Sequence, residues 1–228
     1  MHKRVPDPCS VVRVNPHPGH GTVLVLGTPR GGTSVVAGIC HVVGVQMGLR
    51  IDSSNMEDRT FRALRQDSER VRKASEFFKE LRMGRTIAGV KDPALADWIT
   101  ECYPHVPEPV LVLVTRDVYA TAQREECAGF DFSTSLEEAV RRKYALLDFV
   151  KPLDSPLIVL PYERLLVDPL PAVKSLARFL LGDVDEGLVS RAADLVRPHA
   201  DMPNEVNFLA AGQNYERNES GYAASVRF

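Results

Sequence analysis

The segment with the clearest chemical meaning is a glycine-rich turn that follows an apolar run. Val23–Leu26 precedes a turn over residues 27–32, and a helical pattern begins at Thr33 and extends to about Val43. Strand, glycine turn and helix in this order direct backbone N–H groups towards an anion, usually a phosphate. The spacing is close to that of a Walker A loop, but Thr33 occupies the lysine position and the cation is Arg30. We therefore expect a phosphate or sulfate site that does not hydrolyse ATP.

Two arginines follow another apolar run. Arg116 comes directly after Val110–Val114, and Arg124 lies two helical turns further on, in a helix that Asp117 is placed to cap. Ligands of open parallel sheets bind at the carboxyl ends of the strands, so we expect Arg116 at the same edge as the glycine turn. The two arginines favour a second phosphate site, and the alternative is surface ion pairs with neighbouring acidic side chains.

A lysine and several carboxylates are candidates for the chemical step. Lys91 leaves a buried run at the same predicted edge and is placed to stabilise an oxyanion or a leaving group. Asp92 before Pro93 is typical of a helix start, and it is also a candidate base. Glu57 is either the last residue of a capping box that begins at Ser54 or a general base. The other candidates for this base are Asp52 and Asp58.

The elements that must position these residues alternate between strands and helices. Four short runs are almost continuously apolar: Thr22–Leu26, Thr86–Val90, Val110–Val114 and Leu157–Leu160. Such runs are typical of parallel strands buried on both faces, and the helical patterns between them supply the crossovers. The sequence predicts a three-layer α/β protein of P-loop-like fold, with a mostly parallel central sheet of about four to five strands flanked by helices.

Four helices are predicted besides the first and the one that Asp117 caps. One spans about 56–82, and the next begins near Thr134 and has an apolar face of Leu136, Val140, Tyr144, Leu147 and Val150. A third begins at Asp168-Pro169 and ends at Gly182, and a last one covers Glu186–Val196. We expect residues 1–21 to be an extended lead-in, 22–197 to be the α/β domain and 198–228 to be a loop or lid.

Composition restricts the class of partner. The 228 residues carry a formal net charge of −2, which does not favour nucleic acid. No apolar run approaches the roughly 20 residues that span a bilayer, and the first residues lack the apolar core of a signal peptide. Four scattered cysteines and six histidines form no metal-binding pattern. We expect a cytoplasmic protein with reduced thiols, without a metal and without a membrane partner.

Four segments, in order, resemble the sulfotransferases that use 3′-phosphoadenosine 5′-phosphosulfate. Thr28–Ser34 resembles their 5′-phosphosulfate loop, commonly PRSGTS or PKSGTT, and 114–117 resembles the start of their 3′-phosphate motif. Gly89–Pro93 is similar to the WKDP segment of bacterial members, and Pro161–Pro169 matches their YExLLxDP stretch. The resemblance covers about residues 22–182.

The resemblance implies a role for each matching residue. Arg30 contacts the bridging and transferring oxygens, Arg116 binds the 3′-phosphate, and Tyr162 lies near adenine. Glu57 aligns with a glutamate that is a candidate base in bacterial members. The 5′-phosphosulfate is held by the backbone N–H groups of Gly31, Gly32, Thr33 and Ser34.

The implied function is transfer of a sulfuryl group from the donor to a hydroxyl of a small-molecule or carbohydrate acceptor, by in-line displacement, leaving adenosine 3′,5′-bisphosphate. Two positions depart from the pattern, since Gly31 and Arg124 stand where serine is usual. The alternatives are a P-loop nucleotide kinase or phosphotransferase and a non-catalytic nucleotide-binding relative. The sequence identifies neither the acceptor nor the oligomeric state.

Overall fold

A computed structural model describes residues 8–196 of the chain. Its strands are β1 (Ser10–Arg13), β2 (Gly21–Leu26), β3 (Gln46–Met47), β4 (Ile51–Asp52), β5 (Glu57–Asp58), β6 (Ile87–Lys91), β7 (Pro109–Thr115) and β8 (Leu157–Pro161). Its α-helices are α1 (Thr33–Val42), α2 (Arg59–Ala63), α3 (Arg70–Arg82), α4 (Leu95–Trp98), α5 (Val118–Glu126), α6 (Phe132–Val150), α7 (Tyr162–Val167), α8 (Pro169–Leu181) and α9 (Glu186–Ala193). Short 3₁₀-helices cover Leu64–Gln66, Ile99–Glu101 and Tyr103–His105.

The four predicted strands form the middle of the main sheet, whose order is β1-β8-β7-β2-β6-β3. Neighbouring strands are parallel, except that β1 runs antiparallel to β8. The fold class predicted from the sequence is confirmed. The sheet has six strands because the short strands β1 and β3 extend its edges. Since β2 lies between β6 and β7, the segments that follow these three strands emerge side by side.

Helices cover both faces of the sheet. One buried apolar cluster joins the sheet to α1, α7, α8 and α9, and the other joins it to α2, α3, α4 and α6. Successive residues of β2 alternate between the two clusters, with Val23 and Val25 on one face and Leu24 and Leu26 on the other. All four are fully buried, which explains why this strand is continuously apolar.

The helix predicted over 56–82 is divided in two. Helix α2 begins at Arg59, and α3 begins at Arg70 after an extended residue, Asp67, with φ −84° and ψ 128°. The Asp67 carboxylate accepts hydrogen bonds from the Glu69 N–H at 2.8 Å and from Lys73 Nζ at 2.6 Å. This local alternative to helical hydrogen bonding interrupts the helix. The apolar spacing was correct, since it continues across the break.

The predicted apolar face of α6 is also wrong. Val140, Tyr144 and Leu147 are 37%, 66% and 46% exposed, whereas Ala139 and Leu146 are buried. The predicted apolar face and the face that is actually buried lie side by side on the helix and share Val150. The sequence pattern favoured the larger side chains, but the small residue Ala139 faces inward, where α6 packs against α5.

The ends of the chain are only partly described. Within the predicted lead-in, β1 pairs with β8. The predicted C-terminal loop or lid, 198–228, lies outside the described residues. Helix α8 begins at Pro169 and ends before Gly182, as predicted, and α9 ends at Ala193. No helix between residues 8 and 196 is long and apolar enough to cross a membrane.

A small hairpin, β4 with β5, is fixed at the carboxyl edge of the sheet by Asp58. This side chain is 2% exposed. Its Oδ1 accepts the Phe61 N–H at 2.8 Å, which caps α2, and its Oδ2 accepts the N–H groups of Leu49 at 2.7 Å and Arg50 at 2.6 Å. Asp58 therefore orders both the loop before the hairpin and the helix after it. The adjacent residue, Glu57, is held in place by the same contacts.

We predict that Asp58→Ala lowers the free energy of unfolding by about 3 kcal/mol, because three backbone donors lose a charged acceptor. The matched control is Asp131→Ala, which removes the exposed cap of α6 and should cost about 1 kcal/mol. Urea unfolding measures both values. Equal losses in the two variants would show that Asp58 is only a helix cap.

Candidate anion-binding site

The glycine-rich loop is a tight turn closed by a hydrogen bond from the Gly31 N–H to the Thr28 carbonyl, at 3.0 Å. Pro29 and Arg30 are its central residues, and Arg30 has φ +57°. Proline followed by a residue of positive φ is the pattern of a type II turn, where glycine usually takes the second central position. An arginine in this left-handed region is strained by roughly 1–2 kcal/mol. The surrounding structure must therefore hold it there.

The turn also explains the glycine at position 31. A Cβ on Gly31 would lie 2.7 Å from the Thr28 carbonyl oxygen and 2.9 Å from Thr28 Oγ1. Both distances are too short for a side chain at position 31. The Thr28 hydroxyl therefore lies next to the position that a Cβ of residue 31 would occupy.

Helix α1 begins at the turn. Gly32, its N-cap, has φ +87°, and a Cβ there would lie 2.3 Å from Cδ2 of Tyr162. The first turn of α1 contains no acidic side chain. Because the first N–H groups of a helix have no partner within the helix, those of Thr33 and Ser34 are suited to an anion. Close packing on Tyr162 fixes where these groups point.

Arg116 connects the end of β7 to the turn. Its Nη1 donates to the carbonyl oxygen of Arg30 at 2.6 Å, and its guanidinium carbon lies 5.3 Å from the centre of the Tyr162 ring. The next peptide is fixed as well, because the Asp117 N–H donates to Oε1 of Glu163 at 2.8 Å. Nε of Arg116 is buried and has no hydrogen-bond partner among residues 8–196. A buried donor without an acceptor fits an anionic ligand.

Three arginines meet at this edge of the sheet. Burial lowers the pKa of Arg124, and the charges of Arg116 and Arg30 lower it further. Burial raises the pKa of Tyr162, an effect that the charges of Arg116 and Arg124 oppose. The nearby carboxylate is Glu125, whose Oε1 lies 3.8 Å from Nε of Arg30. The arrangement has an excess of positive charge, and a polyanion would neutralise it.

Lys91 and Glu57 form a buried ion pair at the end of β6. Lys91 Nζ donates to Oε1 of Glu57 and to the carbonyl oxygen of Asn55, both at 3.0 Å. Burial lowers the pKa of Lys91, and the Glu57 carboxylate opposes this shift. The capping box predicted for Glu57 is wrong, because Glu57 lies in β5 and Asp58 caps the helix. The second carboxylate oxygen, Oε2, faces Arg62 at 3.5 Å and Arg65 at 3.7 Å.

Asp92 is tied into the same charged network. Its carboxylate accepts hydrogen bonds from Arg65, from Trp98 Nε1 at 3.1 Å and from the Ala94 N–H at 2.8 Å, and it is 1% exposed. These contacts occupy both oxygens. Arg65 pairs with both carboxylates of this network, and the sequence gave no signal for it because it fell inside the predicted long helix.

A cleft of about 320 Å³ adjoins the turn. Thr28 and Pro29 form one end, and the rest is lined by residues of α5, α6 and the loop between them. Glu125 links the two features, since it lines the cleft and faces Arg30. In the sequence, Glu125 is one of the acidic side chains that could pair with an arginine at the surface. The packing of α6 against α5 places it in the cleft.

Three solved structures of similar fold are sulfotransferases by name. The sulfotransferase domain of the Synechococcus PCC 7002 olefin synthase is 15% identical, with a TM-score of 0.54 over 77% of this chain and 78% of that one. The sulfotransferase domain of the curacin biosynthetic pathway is 13% identical, with a TM-score of 0.56 over the same shares. The fold is that of the sulfotransferases. Sulfotransferase STF9 from Mycobacterium avium agrees, at 13% identity and a TM-score of 0.52, covering 87% of this chain and 74% of that one.

Sequence comparison adds no nearer relative. No protein-family model matches the chain, and no curated protein does. The sulfotransferase resemblance stated from the four motifs is confirmed at the level of the fold.

We predict that Gly32→Ala destabilises the protein by about 3 kcal/mol, because it adds a clash with Tyr162 to the strain of a positive φ. Gly129→Ala is the matched control, since Gly129 has φ +93° and nothing within 4 Å of an added Cβ. It should cost about 1 kcal/mol. Thermal or urea unfolding separates the two, and equal losses would contradict the close packing on Tyr162.

Proposed function

We propose that this protein transfers a sulfuryl group from 3′-phosphoadenosine 5′-phosphosulfate to a hydroxyl group of a small-molecule or carbohydrate acceptor. The observation that carries the proposal is the group of three arginines beside a glycine turn that lacks the Walker lysine. The sulfuryl donor carries phosphate at its 3′ and 5′ positions. Two sets of hydrogen-bond donors at this edge match these phosphates: the three arginines and the N–H groups at the start of α1. The fold shared with sulfotransferases supports the same function.

In this proposal the 5′-phosphosulfate lies on the backbone N–H groups of Gly31, Gly32, Thr33 and Ser34. The 3′-phosphate binds Arg116, whose buried Nε has no acceptor among the described residues, together with Arg124. An arginine at position 124 replaces a neutral hydroxyl by a charged donor, which suits a phosphate. Because Tyr162 is covered by Gly32 and Arg116, we assign it to supporting the loop beside the nucleotide.

The chemistry follows from where charge develops. The S–O bond to the 5′-phosphate breaks, and its electron pair stays on the phosphate, which becomes more negative. Arg30 is placed to stabilise this charge. One such hydrogen-bond donor commonly lowers the activation free energy by about 3 kcal/mol. Lys91 contributes a buried positive charge beside it. Among residues 8–196, two of its three N–H groups have acceptors.

A nucleotide kinase is less well supported. It needs a lysine in the loop and a carboxylate that holds Mg²⁺ at the end of a neighbouring strand. Asp92 stands at the end of β6, but Arg65, Trp98 and a backbone N–H already bind its two oxygens. Metal binding there would have to break all of these contacts. A non-catalytic nucleotide-binding protein is distinguished by the transfer assay below.

We predict tight binding of adenosine 3′,5′-bisphosphate by calorimetry, with weak binding of ATP–Mg²⁺. Arg116→Ala should weaken adenosine 3′,5′-bisphosphate binding by about 10- to 100-fold, the value of a charged hydrogen bond. Binding of adenosine 5′-monophosphate, which has no 3′-phosphate, should fall less, because it loses only the support that Arg116 gives to the turn through the Arg30 carbonyl. Equal loss for the two nucleotides would assign Arg116 to loop structure alone, and tight binding of ATP alone would exclude the sulfotransferase proposal.

We further predict that Arg30→Gly lowers sulfate transfer about 100-fold while the free energy of unfolding stays within about 1 kcal/mol. Glycine accepts the left-handed backbone, so this variant removes the charge and keeps the turn. The assay follows transfer of labelled sulfate from the donor to a mixture of acceptors, and nucleotide binding is measured in parallel. Normal turnover in Arg30→Gly would rule out the role of Arg30, and tight nucleotide binding by the unmodified protein without transfer would identify a binding protein.

A further inference from the structure

The cleft beside the turn has a chemistry of its own. Eight of its eleven lining residues are polar, among them Glu125, Asp131 and Glu138, and Arg142 is the single cation of the lining. Its volume of about 320 Å³ is at the small end of ligand sites, near the size of one sugar ring with substituents. Most of the exposed lining surface nevertheless belongs to apolar atoms, so the cleft suits a small molecule that has both hydroxyl groups and C–H faces.

Two carboxylates of the cleft are fixed in position. Glu138 is paired with Arg141 at 2.7 Å and Arg142 at 2.6 Å, and these contacts lower its pKa to about 2. Asp131 accepts hydrogen bonds from the N–H and the hydroxyl of Thr134. Because two arginines balance Glu138 and Arg30 faces Glu125, the described residues of the cleft carry no large excess of negative charge. Their carboxylate oxygens can accept hydrogen bonds from the hydroxyl groups of a bound molecule.

Glu125 is the carboxylate of the cleft nearest to the proposed reaction centre. It lines the cleft at the end formed by Thr28 and Pro29, and its Oε1 is 3.8 Å from Nε of Arg30. Its backbone carbonyl accepts the Phe130 N–H at 3.2 Å, so the loop that carries the Phe130 ring folds back over it. The ring is 59% exposed and faces the cleft. A carboxylate with an exposed aromatic ring suits a molecule with both hydroxyl groups and C–H faces.

The two bases expected from the sequence are placed differently. Glu57 is paired with Lys91 and faces Arg62 and Arg65, and Asp92 is enclosed by Arg65 and Trp98. Each of these carboxylates already serves to balance cations. Among residues 8–196, Glu125 has one cationic partner, at a distance longer than a hydrogen bond, and its side chain is 19% exposed. It can therefore reach a molecule in the cleft.

We propose that this cleft binds the acceptor, that the acceptor is a small hydroxyl-rich molecule, and that Glu125 receives its proton. This inference rests on the proposed function. The acceptor oxygen forms the O–S bond as the S–O bond to the 5′-phosphate breaks. The hydroxyl proton passes to Glu125, and the products are a sulfate ester and adenosine 3′,5′-bisphosphate.

The first test is a matched acceptor series with sulfate transfer read by mass. Glucose, glucosamine and glucuronate share a ring and differ in charge, and androsterone and phenol represent apolar alcohols. We expect transfer to at least one of the three sugars and little to the two apolar acceptors. Preference for androsterone or phenol would overturn the proposed acceptor class, and so would the absence of transfer to every member while adenosine 3′,5′-bisphosphate still binds. Failure of that nucleotide to bind would instead refute the proposed function.

The second test separates Glu125 from its alternatives. Glu125→Gln should lower kcat for the best sugar about 100-fold. The affinity for adenosine 3′,5′-bisphosphate should be unchanged or higher, because a negative charge beside Arg30 is removed. Glu126→Gln is the matched control on the exposed side of α5 and should leave kcat unchanged. Phe130→Ala should raise the KM for the sugar about fivefold without changing nucleotide binding. The inference is wrong if Glu57→Gln lowers kcat about 100-fold and Glu125→Gln does not.

Discussion

The left-handed backbone of Arg30 is the constraint on which the candidate site depends. This conformation turns the chain so that the amino end of α1 and the arginine side chain lie at the same edge of the sheet. Two contacts from other segments hold it: the hydrogen bond from Arg116 to the Arg30 carbonyl, and the packing of Tyr162 on Gly32. Because Arg116 follows β7 and Tyr162 follows β8, the loop is fixed by the strand order itself. The strain at Arg30 is thereby offset by two contacts from segments that the sheet holds in place.

Charge is distributed unevenly along this edge. At the end of β6, the cations Lys91, Arg62 and Arg65 face Glu57 and Asp92, so most of the charge in this part is balanced within the protein. Beside β2 and β7, the charges of Arg30 and Arg116 raise the electrostatic energy of Arg124, and Glu125 partly compensates Arg30. The first group behaves as a preformed scaffold, and the second favours binding of an anion. In the proposed function the polyanionic donor occupies the second group, and the cleft beside Glu125 receives the acceptor.

Local patterns in the sequence predicted the parts of the molecule that local physics determines. Continuous apolar runs identified the four central strands because both faces of those strands are buried, and the glycine spacing identified the turn. Tertiary contacts decided the rest. Ala139 packs inward in place of the larger Val140 and Tyr144 because α5 lies against that side of α6. Glu57 reads as a helix cap in the sequence, and only Lys91, 34 residues later, shows that it is half of an ion pair.

A crystal structure with adenosine 3′,5′-bisphosphate tests the central claim most directly. The account predicts the 5′-phosphate on the N–H groups of Gly31 to Ser34, within hydrogen-bond distance, and the 3′-phosphate on the guanidinium groups of Arg116 and Arg124. The hydrogen bond from Arg116 to the Arg30 carbonyl should persist. A nucleotide bound elsewhere, or one whose 3′-phosphate points away from both arginines, would contradict it.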